Sequence, residues 1–313
     1  MKIVSKLIIL ALVVVIFSII SCRNDKAEVP VVRSLTSLND FFEMNGAQSQ
    51  FYQIDNNFSK SVRGALGTIL TFDANSFVTL SGKNVIGKVK IELIEIYDKK
   101  MMLLSNVATN AEVFGQRVSL VSGGEIYVNA TQKGAQLKLA PGQKYSVFLP
   151  SKSNPTEGMY YFKRKNSNDS ILWTSNLTLE DTASPGSFPY GYFMNCDSLS
   201  WSNCDVFLPN PNYTAVTLNI SGTFNASHIK AFIWYDNVNT VSSFWNSFNS
   251  TTNSCSDNHI GSGLSAHYIV MSVKNGKLYT AIVGTITSNN AVYNLTLTET
   301  KEDVFANSLA ALP

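Results

Sequence analysis

Few side chains in this sequence are spaced for chemistry. The three histidines, His228, His259 and His267, stand in no metal-binding pattern. His259 and His267 flank Gly261-Ser262-Gly263 with no third ligand beside them. The chain holds no H-E-x-x-H, no Walker loop, no G-x-S-x-G and no glycine-rich dinucleotide turn. The histidines therefore read as solvated loop residues, and neither a metal nor another cofactor is expected. A scattered triad or a pair of glycosidase carboxylates would leave no local motif, so the missing motifs do not exclude an enzyme.

Glu95 is the carboxylate that stands out. Val89, Ile91 and Leu93 define one face of a strand, and the same alternation carries Glu95 onto that apolar face. Either a bulge near Ile94 or the strand's end restores the pattern, or Glu95 is partly buried beside a cation or with a raised pKa. The bulge or strand end is the favoured reading over a functional acid. The aromatic residues Phe232, Trp234, Tyr235, Phe244 and Trp245 cluster late in the chain. Phe232 and Trp234 read as core, whereas Tyr235 near a strand end and Trp245 in a polar stretch could touch a ligand. Glu95, Tyr235 and Trp245 are thus the candidate ligand contacts. Asp197 and Asp205, each in an Asn-Cys-Asp segment, could ligate calcium, but no EF-hand spacing supports this and Asx-turns explain them more simply.

Cysteine chemistry divides in two. Cys196 and Cys204 flank Trp201 and can close a small disulfide loop, with Cys255 bonded to either partner as the alternative. Cys22 follows a different pattern. Lys2 and Lys6 precede the apolar run Leu7 to Ile20, and Ile19-Ile20-Ser21-Cys22 ends it. The run is too short to span a bilayer comfortably and reads as a signal-peptide core. The tetrapeptide resembles the bacterial lipobox, which implies acylation of Cys22, cleavage before it and a membrane anchor.

Cleavage would also change the charge. The chain carries 24 Lys+Arg against 22 Asp+Glu, and residues 1–21 remove two lysines and no acid, leaving the mature chain formally neutral. With no basic run, nucleic-acid binding is not expected.

The elements that would position these residues are strands. Short alternating runs at 68–72, 88–93, 125–128, 136–139 and 145–149 suggest one β-sandwich over 49–150. Further runs at 214–220, 229–235, 268–273, 278–285 and 292–298 suggest a second over 191–313. Lys274-Asn275-Gly276-Lys277 signals a hairpin. Thr300-Lys301-Glu302-Asp303 resembles a capping box opening a short C-terminal helix. Helical signal is otherwise weak, with one turn near 101–104. Residues 22–48 read as a tether and 151–190 as a linker. The expected class is all-β, two sandwich domains and a terminal helix.

Gly67-Thr68-x-Leu70-x-Phe72, Gly87-x-Val89-x-Ile91-x-Leu93-x-Glu95, Ser122-Gly123-Gly124 and Trp201-x-Asn203-Cys204-Asp205 together resemble exported lipoproteins of Bacteroidetes-type bacteria, and more distantly the ZU5-like or Ig-like β-sandwich. The resemblance implies an envelope location, such as the outer membrane, and β architecture; it carries no catalytic residues. Asp169-Ser170-Ile171, Asp181-Thr182-Ala183 and Asp197-Ser198-Leu199 are similar to the O-glycosylation acceptor of such bacteria. The function expected is a non-enzymatic lipoprotein that binds or scaffolds a protein or glycan partner. The alternatives are a carboxylate-based glycan-processing enzyme and an accessory factor for assembling surface proteins.

Overall fold

A computed structural model describes residues 35–151, 156–165, 172–178, 181–187, 190–209, 212–224, 228–246 and 248–313. Cys22, the expected signal peptide, most of the expected tether and the Asp169-Ser170-Ile171 site lie outside them. The described chain is mostly β, arranged in four sheets with three short helices. Among the described residues no helix is long and apolar enough to cross a membrane.

Alternation sets the strands. In Lys88–Ile96, Val89, Ile91 and Leu93 are fully buried while Lys88 and Lys90 face solvent. This strand pairs on one side with Gln50–Asp55 and on the other with the long strand Gln116–Gln132. At 17 residues, Gln116–Gln132 would run about 55 Å, too long for a single set of partners. It divides its length instead: 116–119 pair with Asn110–Val113, 120–127 with Trp201–Phe207, and 125–131 with Lys88–Ile96.

The change of partner falls at a bulge. Cys204 lies opposite Gly124 but Asp205 lies opposite Ser122, so Gly123 is the extra residue. Only glycine fits there. A Cβ on Gly123 would stand 3.0 Å from the Cys204 carbonyl oxygen, and Gly124 has φ +146° with the Tyr97 ring against its Cα.

Part of the nine-stranded sheet closes on itself. Gln116–Gln132 pairs with Trp201–Phe207, which pairs with Tyr160–Lys165, which pairs with Leu172–Thr174. A parallel bridge from Trp173 to Ala111 then reaches Asn110–Val113, which returns to Gln116–Gln132. Ala111, Leu120, Phe162 and Trp173 of this five-stranded ring are fully buried, and the Trp173 indole N–H donates to the Ala108 carbonyl at 2.9 Å.

This overturns the expected division at 151–190. Two strands of the supposed linker are staves of the ring, and Trp201–Phe207, assigned to the later domain, pairs into the earlier sheet. Hydrogen bonding decides this, because ring closure leaves these backbone groups paired rather than solvated. The tether boundary moves too. Ser37 caps the helix Leu38–Asn45 through a reciprocal box with Asp40, and Leu38, Phe41 and Phe42 are buried. Leu35–Pro313 forms one compact unit.

Three cores result. One lies between the nine-stranded sheet and the five-stranded sheet that contains Tyr145–Pro150 and Tyr190–Cys196. A second lies between the three-stranded sheet around Tyr213–Ser221 and the five-stranded sheet around Ser265–Lys274. The third joins the ring to that last sheet, and Phe41, Met102 and Phe305 bring all three helices, Leu38–Asn45, Lys99–Leu104 and Glu302–Ala310, into it. The last helix matches the expected position, but its N-cap is Lys301 and no side chain caps it. The hairpin at Asn275-Gly276 has positive φ at both residues, +52° and +75°, as its sequence requires.

Candidate functional site

The structure separates the three expected ligand contacts. Glu95 sits in unbroken register, opposite Ile126, with no bulge at Ile94. It is 3% exposed and has no cationic partner among the described residues; its carboxylate accepts hydrogen bonds from the Gln50 amide (2.7 Å) and the backbone N–H groups of Leu66 (2.9 Å) and Thr68 (3.0 Å). It clamps the 64–68 loop, because three donors satisfy a buried charge without a salt bridge. Tyr235 is 1% exposed, and its hydroxyl oxygen accepts the Gly261 N–H inside the core. It contacts no ligand from there.

Trp245 alone reaches the surface, and it has company. The turn after Asn110–Val113, with positive φ at Phe114 and Gly115, carries the chain to the exposed Arg117. The Arg117 guanidinium lies 4.9 Å from the Trp245 ring centre. The His259 ring meets Trp245 edge-on with centroids 6.4 Å apart, and Tyr213 continues the line 6.1 Å beyond. Tyr213 is 45% exposed. Arg117, Trp245, His259 and Tyr213 thus form one half-exposed row of planar groups from four separate segments.

Asp257 fixes the row from beneath. It is buried, and its two carboxylate oxygens accept the Trp245 N–H (2.7 Å) and the His259 N–H (2.8 Å). Burial pushes its carboxyl upward, against the pull of those two N–H groups, His259 and Arg117. The His259 Nδ1 stands 3.6 Å from Asp257 Oδ1, within ion-pair reach but beyond hydrogen-bond distance, and has no hydrogen-bond partner among the described residues. The row therefore holds cationic, aromatic and hydrogen-bonding groups side by side, as a polyhydroxylated ligand needs.

Spacing alone concealed most of this. Trp245 was visible as an aromatic in a polar stretch, but His259, Tyr213 and Arg117 are brought to it by pairing across three sheets. The other histidines are also engaged: His267 Nδ1 lies 2.9 Å from Asp236 Oδ1, and His228 Nδ1 lies 3.2 Å from the Val273 carbonyl oxygen. None of the three is a free loop residue.

The expected Cys196–Cys204 disulfide is absent, and Cys196, Cys204 and Cys255 are buried free thiols. Cys196 and Cys204 belong to different sheets and pack as small apolar groups in one core. Burial pushes the Cys196 and Cys255 thiols up to about 12, so none is poised as a nucleophile. Asp197 pairs with Lys163.

No family model matches the chain, and no curated protein matches it. Among solved structures it is similar to the γ-CGTase of Alkalophilic bacillus clarkii at 10% identity and a TM-score of 0.22. That match covers 76% of this chain and 41% of the other, and likeness at this level carries no argument about fold or activity.

Proposed function

We propose that this protein is a cell-envelope lipoprotein of the outer membrane, anchored through acyl groups on Cys22, that binds a glycan without processing it. Its body is read as two β-sandwich units of Ig-like or ZU5-like type sharing a central seam. The observation that carries the binding reading is the row Arg117–Trp245–His259–Tyr213, held by Asp257. Aromatic faces cover the apolar faces of sugar rings, while the guanidinium, imidazole and phenol offer hydrogen bonds at their edges. Glu95, the acid on which a glycan-processing reading rested, spends its oxygens on its own chain.

Affinity electrophoresis of the purified body through a panel of neutral and acidic polysaccharides tests the reading. Retardation by at least one of them, lost in Trp245→Ala and Tyr213→Ala, is expected. Equal mobility in every gel, or retardation that survives both substitutions, would reject it. For the anchor, Cys22→Ala should release a soluble or unprocessed form; continued acylation and membrane retention would show the lipobox reading wrong.

A further inference from the structure

Inside the five-stranded ring two carboxyl groups are buried together. Glu125 and Asp205 are both 0% exposed, as is Asn203 between them. The Asn203 amide nitrogen donates to Asp205 Oδ2 (2.5 Å) and to Glu125 Oε1 (3.3 Å), and its oxygen accepts the Ser122 hydroxyl (2.9 Å). The second oxygen of each acid, Glu125 Oε2 and Asp205 Oδ1, has no hydrogen-bond partner among the described residues. No lysine, arginine or histidine makes an ion pair with either acid among the described residues. The Ser122 hydroxyl and the Gly123 N–H also lie close enough to Asp205 to favour its charged form, yet one oxygen of each acid still lacks a hydrogen bond of normal geometry and bears a desolvation cost.

We propose that Glu125, Asp205 and Asn203, with the Ser122 hydroxyl, form a binding site for a calcium ion. The ligand chemistry selects the ion. Every available group is an oxygen donor, because strand alternation turns the Cys204 thiol to the opposite face, into the neighbouring core. Two carboxylates balance a divalent charge. A site this dry favours calcium, which accepts irregular all-protein oxygen cages, over magnesium, which keeps its water. The Asn203 amide can reverse end for end, presenting its oxygen to the ion and its nitrogen to Ser122 Oγ, which already accepts the Gly124 N–H at 3.1 Å and so holds the amide in place.

Among the described residues no three His, Cys, Asp or Glu side chains gather as a metal group, and this site has only two acids, so the Asn203 amide oxygen is required as a further ligand. The bulge at Gly123 builds the site. By inserting one residue it sets both Ser122 and Glu125 toward Asn203 and Asp205.

A neighbouring aromatic pair gives a local readout. Trp201 and Tyr127, with ring centroids 5.5 Å apart, lie two residues along their strands from Asn203 and Glu125, on the same face. Terbium(III), a calcium mimic, should therefore emit when these rings are excited. With the EDTA-treated protein, terbium emission displaced by calcium and reduced by Trp201→Phe is expected. Calcium at about a hundredfold excess over its Kd should raise the melting temperature by roughly 5 °C or more. Glu125→Gln and Asp205→Asn should abolish both responses. No terbium emission together with no calcium-dependent melting shift in the wild-type protein would overturn the proposal. So would a calcium response that persists in both variants, which would place the ion elsewhere. Should the variants fail to fold, the wild-type emission and its reduction in Trp201→Phe still decide the matter.

Discussion

The Glu95 carboxylate occupies the space that a side chain on Gly64 would need: a Cβ there would stand 2.4 Å from both Cδ and Oε2 of Glu95. The absence of a side chain at one residue and the charge at the other are a single device for closing the 64–68 loop. Gly64→Ala should destabilise the fold by about 1–3 kcal/mol through overpacking. The same change should cost less in a Glu95→Ala background, where the clash is gone, and urea unfolding of all four chains measures the coupling. Additive losses would show that the two residues act independently.

Asp257 is a positioning residue for the surface row. Asp257→Ala leaves two partly buried N–H groups without their acceptor and should cost about 1–3 kcal/mol of stability. Polysaccharide retardation should weaken with it, although Asp257 lies beneath the row. Asp257→Asn, which keeps the oxygen for one N–H, should fall between. Full retardation in a folded Asp257→Ala protein would place the ligand elsewhere.

Stability should fall as pH rises from the acid range in the metal-free protein. Burial raises the Glu125 and Asp205 carboxyls well above their ordinary values, and each is raised further or held by the groups around it. The folded chain then retains protons that the unfolded chain has lost, so the unfolding free energy declines with pH. The contribution is whole below the unfolded carboxyl range and disappears as pH climbs through the raised folded values. Lys99, depressed to about 8 by burial over Trp234, acts in the opposite sense but only at alkaline pH. Urea midpoints between about pH 4 and pH 7 therefore read the buried acids, with Asp257 contributing in the same sense, and the Asp205 variant separates its share. Asp205→Asn should flatten the decline, and an unchanged slope in that variant would contradict the assignment.

The cysteines should behave as inert core groups. Alkylation of the folded body without reductant should leave Cys196, Cys204 and Cys255 unmodified, and after unfolding all three should react. A mass showing only one reactive thiol beyond Cys22 would instead reveal a disulfide.

How much of this could be read from sequence follows from the range of each interaction. Local rules worked where the cause was local. The alternation in 88–96 and 229–235 marked strands, and Asn275-Gly276 marked its turn. The same conformational preference explains why six of the nine positive-φ residues other than glycine, among those described, are asparagines. Alternation carries Glu95 onto the apolar face and the unbroken register keeps it there, against the favoured bulge near Ile94; its partners are 27 to 45 residues away and two of them are backbone N–H groups that no side-chain pattern signals. The short strands Asn110–Val113 and Leu172–Thr174 are too brief to show a period, so the ring that they close was invisible and 151–190 resembled a linker. Glu125 and Asp205 lie 80 residues apart and gave no hint of meeting, which required the extra residue at Gly123.

The ring also sets a rule for assembly. One edge of Gln116–Gln132, over residues 120–127, cannot find its partner until Trp201–Phe207 has been made, and the circuit is completed by a single parallel bridge at Trp173 and Ala111. An emerging chain therefore carries an open, apolar strand edge through much of its synthesis, the kind of surface on which chains aggregate. A chain cut at residue 150 would carry that edge permanently. The protein is thus indivisible where its sequence most invites division, and whatever accompanies it before closure must shield that edge.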